Sequence, residues 1–90
     1  PVHEFKIWPE YFGAVVEGRK TFEVRKRCPK RPICEGAILK LREWVPETSQ
    51  EAGSYTGREV LVRVGYVLPL TLIKRPDVVV FTVVDPQVLP

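Results

Sequence analysis

"HEFKIWPEYFGAVVEGRKTFEVR", His3 to Arg25, decides the fold. Its first six residues alternate. Phe5 and Ile7 fall on one side and Glu4, Lys6 and Trp8 on the other, the two-residue period of a strand. Pro9 breaks that period and suits a first helical position. Glu10 suits the first turn, and Gly18 the place just past a helix end. Tyr11, Ala14 and Val15 share one helical face, with Phe12 and Val16 beside them. Residues 9–17 are therefore expected to form one short helix, too short to persist unless it packs on a sheet. Alternation resumes in "KTFEVR", residues 20–25: Phe22 and Val24 on one side, Thr21, Glu23 and Arg25 on the other. Turning the apolar pair to the core leaves the polar trio facing water or a groove.

Downstream, "AILKLREW" (37–44) sets Ile38, Lys40, Arg42 and Trp44 against Leu39, Leu41 and Glu43. "REVLVRVGYVL" (58–68) alternates through Val60, Val62, Val64 and then Tyr66 or Val67, with Gly65 a bulge candidate. "VVVFTVV" (78–84) is apolar enough for the middle of a fold. "KRCPKRPICEG" (26–36) reads as a loop. "VPETSQEAGSYTG" (45–57) reads as a polar connection with a turn at Thr56-Gly57, and "PLTLIKRPD" (69–77) as a loop or short helical turn. The 78–84 run is the expected fifth strand, and Pro86 and Pro90 end the sequence. The order β-α-β-β-β-β predicts one domain over residues 1–90. Its class is mainly β (α+β), a small five-stranded barrel with one short N-terminal helix, since closure removes exposed edges. Phe5, Tyr11, Phe12, Phe22 and Phe81 are the expected aromatic core.

Composition agrees with a β fold: valine occurs fifteen times and methionine not at all. Nine prolines, no asparagine and two glutamines suggest a thermophilic source. No apolar run is long enough to span a membrane, and "PVHEFKI" lacks the basic-then-apolar order of a secretory leader, so a cytoplasmic protein with no membrane partner is expected. Cys28 and Cys34 are six positions apart, unlike a zinc or redox pair. Free thiols are expected, with no metal and no cofactor, and His3 reads as structural.

The net charge is +3, but it is unevenly spread. Arg19 to Arg31 holds seven bases and one acid, +6, while the rest of the chain holds seven bases and ten acids, −3. A local basic patch suits phosphate contact. Within it Arg25 can make two parallel bonds to a phosphate or base edge, and Lys20 can serve as a point charge. Glu23 can accept from an exocyclic amine such as that of cytosine. Trp8, Trp44 or Tyr55 can offer a surface to an unpaired base. The plainer alternative is an ordinary solvated strand with a cross-strand ion pair.

The pieces "HEFKIWPEYFGAVVEGRKTFEVRK", "LKLREW" and "YTGREVLVRVGYVL" resemble the ASCH domain of the PUA-like superfamily, and most of all a bacterial and phage branch catalogued only as a domain of unknown function. The resemblance covers residues 3–67. It implies a PUA-like barrel and an RNA- or nucleotide-binding cleft lined by the G-x-K-x-x-E-x-R segment. The residues expected there are Lys20, Thr21, Glu23, Arg25, Lys26 and Arg27, with Trp44, Tyr55 and Arg58 near the cleft. "KRCPKRP" and "EGA" depart from that branch, which has Asn-Asp-Arg and a Gly-Asp turn in those places. The superfamily also contains small amidohydrolases of acylated cytosine nucleosides, whose set is a Lys, a Thr three positions later and a Glu elsewhere. Lys20 matches that Lys, but Glu23 occupies the threonine place and Thr21 is adjacent. The alternative expectation is therefore an amidohydrolase using Lys20 and Glu23.

Overall fold

The computed structural model describes residues 2–90. Its elements are β1 (His3–Ile7), α1 (Pro9–Val16), β2 (Phe22–Lys26), β3 (Ile38–Val45), β4 (Ser54–Val67), α2 (Leu70–Ile73) and β5 (Val78–Val88). The fold is mainly β, as expected. The strands form one curled half-barrel sheet in the order β1-β3-β4-β5-β2, with β1 parallel to β3 and the other pairs antiparallel. β5 is paired on both sides, as its apolar run anticipates.

The interior is filled by inward rows. They are Leu39 and Leu41 from β3, Val60, Val62 and Val64 from β4, Val79, Phe81 and Val83 from β5, and Ile7 from β1. Full burial of side chains like these contributes about 1.5–3 kcal/mol each. Phe12 and Val15 of α1 join this core, and the helix packs against β3 and β5. Proline at N1 starts the helix, and Gly18 (φ 80°) ends it. The Gly18 N–H donates to Val15 O at 3.1 Å and the Arg19 N–H to Ala14 O at 3.0 Å, a Schellman closure. The Lys20 N–H also donates to Ala14 O at 3.0 Å, so the helix terminus fixes where Lys20 leaves the backbone.

Several expectations are corrected. Tyr11 lies on the exposed side of α1, whose buried residues are Phe12, Ala14 and Val15. Phe22 and Val24 are 52% and 53% exposed, whereas Glu23 is 4% exposed, so β2 turns its polar side inward. Tyr55 to Gly57 belong to β4, because Trp44 pairs with Tyr55 and Val45 with Ser54 beyond an irregularity at Arg42/Trp44. β5 runs past Pro86 to Val88 through a break in its pairing with β4, where Asp85 has φ 54° and proline's missing N–H costs no ladder bond. Gly65 does lie at a bulge, between Val64 and Val67, and Val67 rather than Tyr66 turns toward the core. Cys28 and Cys34 are exposed free thiols. No helix is long and apolar enough to cross a membrane, and no cluster of three metal-ligating side chains exists among the described residues.

Candidate functional site

β1 and β2 are the end strands of the sheet, and side chains rather than a backbone ladder join them. Arg25 on β2 reaches across and donates from Nη1 to Lys6 O on β1 at 2.9 Å. Beside this bridge lies a cavity of about 310 Å³, walled by Lys6, Ile7 and Trp8 from β1 and its exit, Tyr11 from α1, Lys20 just ahead of β2, and Phe22 to Arg25 from β2. That volume is at the small end for ligand sites.

Glu23 is the buried charge of the cavity. Its Oε2 accepts from Lys20 Nζ, and its Oε1 accepts from Arg25 Nη2 at 2.9 Å. Lys20 Nζ also donates to Phe22 O at 2.7 Å. The side chains of Lys20 and Arg25 are 18% and 22% exposed, so both cations meet the cavity and the solvent while the carboxylate stays inside. This explains the inversion of β2. An inward carboxylate is tolerable when two cations compensate it. Each carboxylate oxygen retains a further lone pair for a ligand donor.

Around this charge the rings are open. Trp8 and Tyr11 stack at 6.1 Å with an 18° interplanar angle, and both are exposed, as is Phe22. Lys20 Nζ lies 5.2 Å from the Phe22 ring centroid and 6.0 Å from that of Tyr11. The site thus combines apolar ring surface with one acceptor and two donors. Sequence reading missed Tyr11 and Phe22 by assigning them to the core, and did not propose Lys6. The signal that could have found Phe22 is its place beside two bases and an acid on a five-residue strand.

The other expected site residues lie elsewhere. Thr21 does not line this cavity; it borders a second hollow with Val15, Lys20, Val83 and Pro86. Lys26 and Arg27 are exposed beyond the cavity, and the Arg27 N–H donates to Asp77 O at 2.8 Å. Trp44 and Tyr55 meet edge-on at 4.9 Å, and each has a cation over its ring: Lys6 Nζ lies 3.9 Å from the Trp44 centroid and Arg42 Cζ 3.8 Å from that of Tyr55, which remains 41% exposed. A Cβ on Gly53 would strike the Trp44 ring, so its indole is packed on that side too. Arg58 is drawn to the second buried carboxylate, Glu43 (4% exposed), at 3.7 Å. Thr56 Oγ1 donates to Glu43 at 2.6 Å. Outside the site, Asp77 is held below its ordinary carboxyl range, 3.8, chiefly by hydrogen bonds from Arg75.

The family described as "Domain of unknown function (DUF3850)" matches residues 2–82. An uncharacterized 12.9 kDa protein of the GpA 3′ region of Escherichia phage P2 is 39% identical over 70 residues. The alignment covers 78% of this chain and 57% of the phage protein, so the chain spans little more than half of that relative's length.

Proposed function

The chain belongs to the family described as Domain of unknown function (DUF3850), and from its charged cavity we propose that it is an RNA- or nucleotide-binding module. The observation that carries the reading is Glu23, buried between Lys20 and Arg25 at a cavity bordered by the exposed rings of Trp8, Tyr11 and Phe22. An unpaired base fits such a set. Its flat face lies on a ring, and its exocyclic amine donates to Glu23. Phosphate oxygens take the remaining N–H groups of Lys20 and Arg25. The resemblance of the Gly18–Arg25 segment to ASCH domains supports the same reading.

The test is a titration followed by backbone amide shifts. Cytidine and adenosine monophosphates, which carry an amine, should move Trp8, Tyr11 and Lys20 to Arg25 at micromolar or weaker affinity. Uridine monophosphate should bind less well. Replacing Lys20 and Arg25 together by alanine should remove binding. Shifts confined to other residues, or equal response to all bases, would refute the assigned site.

A second reading is a small amidohydrolase, favoured by the contact of Lys20 Nζ with a carboxylate inside a cavity. Such a pair can relay a proton. Against it, Thr21 does not line the cavity that holds Lys20 and Glu23 together. Turnover of N4-acetylcytidine that disappears in Lys20→Ala would establish this reading; none over a panel of acylated nucleosides would end it.

A further inference from the structure

The base-sized cavity does not stop at Arg25. Lys6 and Arg25 also border a second cavity of about 320 Å³, which continues across β1 past Glu4, Phe5 and Arg31 to Arg42 of β3 and Tyr55 of β4. Its cations are held rather than loose. Arg25 and Arg31 lie over the Phe5 ring at 5.1 and 4.6 Å, and Arg31 Nη2 donates to Glu4 O at 2.5 Å. Arg42 lies over Tyr55 and Lys6 over Trp44.

They also differ in how far they are neutralised. Arg25 is paired with Glu23, and Arg42 with Glu59 and, at 3.6 Å, with Glu4, the one acid on the groove wall. Lys6 and Arg31 enter no ion pair among the described residues. Two uncompensated cations therefore follow one another along a groove that opens from the aromatic cavity. A free nucleotide needs no such extension. A strand does, because the phosphates beyond its bound base must lie somewhere.

Resting on the base-binding reading above, we infer that this groove is a phosphate track and that the ligand is a single-stranded oligonucleotide rather than a free nucleotide. One base sits in the cavity between β1 and β2. The adjoining backbone passes Lys6 and then Arg31. Holding the cations on rings and carbonyls lowers the ordering cost of binding, because their side chains are already placed.

The experiment compares cytidine monophosphate with a five-residue oligocytidylate, by titration at several salt concentrations. The oligonucleotide should bind at least about tenfold more tightly, the size of one charge-assisted hydrogen bond. The two track phosphates should add about −1.4 to the slope of log affinity against log salt shown by cytidine monophosphate, roughly a further sevenfold loss between about 50 and 200 mM. Arg31→Gln should reduce that added slope to about −0.7 and remove most of the oligonucleotide's advantage. It should leave cytidine monophosphate binding unchanged, since Arg31 does not border the base cavity. Arg31→Lys should keep the slope. If both ligands bind equally, or if the advantage survives Arg31→Gln, the track is overturned while the base cavity stands. If neither ligand binds, the base-binding reading falls and the track with it. The wild-type salt slope decides the matter even if a variant folds poorly.

Discussion

Lys6 stands between two aromatic clusters that have opposite fates. On the outer face of β3 and β4, Trp44 is held between Lys6 and Gly53, and Tyr55 carries Arg42 over its ring. On the seam between β1 and β2, Trp8, Tyr11 and Phe22 keep exposed faces beside a buried carboxylate. Both clusters mix rings with cations, and in composition they look alike. What separates them is how closely a cation is held: in the first Lys6 and Arg42 lie 3.9 and 3.8 Å from the ring centroids, whereas in the second Lys20 stands 5.2 and 6.0 Å from Phe22 and Tyr11 and no cation lies over Trp8 among the described residues.

The contrast can be broken by substitution. The largest effect should come from Trp44→Ala, with a loss of about 3 kcal/mol in denaturant unfolding and nucleotide affinity unchanged; the residue is only partly exposed and closely packed. A lowered affinity with little loss of stability would exchange the roles of the two clusters. Trp8→Ala should do the reverse. Stacking of one base is worth about 1–3 kcal/mol, so affinity should fall by that amount while the unfolding midpoint hardly moves, because Trp8 is 49% exposed. Gly18→Ala meets no steric obstacle but must hold φ at +80°. It should cost about 1–2 kcal/mol and perturb amide shifts around Lys20 more than those around Trp44. Smallest should be Arg42→Gln, about 1 kcal/mol for its place over Tyr55, with no change in affinity for a mononucleotide. A large loss of mononucleotide binding there would join the clusters into one site.

Much of this was legible in the sequence, and the exceptions share a cause. Alternation in β1, β3 and β4 puts Phe5 with Ile7, Leu39 with Leu41, and Val60 and Val62 with Val64 on shared faces, and these faces turn out to be the inner ones. In β2 the same alternation separates two faces correctly but names the wrong one as interior. Period alone says which residues share a face; burial depends on whether the polar face can neutralise itself. Here Lys20 and Arg25 compensate Glu23, and Arg25 is further satisfied by Lys6 O on a strand distant in sequence. No local pattern carries that partner. The helix shows the same limit. Tyr11 and Phe12 are neighbours, and only the packing of α1 on β3 and β5 decides which of them is covered. The lower half of β4 was hidden for a related reason: the pairing of Trp44 with Tyr55 draws Tyr55 to Gly57 into the ladder despite the glycine. At the site, the Gly18–Arg25 segment yielded the charged triad. Trp44, Tyr55 and Arg58 are close in sequence character but are engaged elsewhere.

The open side of β1 carries one more consequence. In a parallel ladder alternate residues direct their backbone groups to the same edge, and on the edge away from β3 the carbonyls of Glu4 and Lys6 accept from Arg31 and Arg25. An uncapped edge of this kind invites pairing with a strand of another molecule. The two guanidinium groups occupy two of the acceptors that such a strand would use. Removing Arg31 should then show up in light scattering, as a tendency to self-associate that rises with protein concentration and is absent from the parent chain.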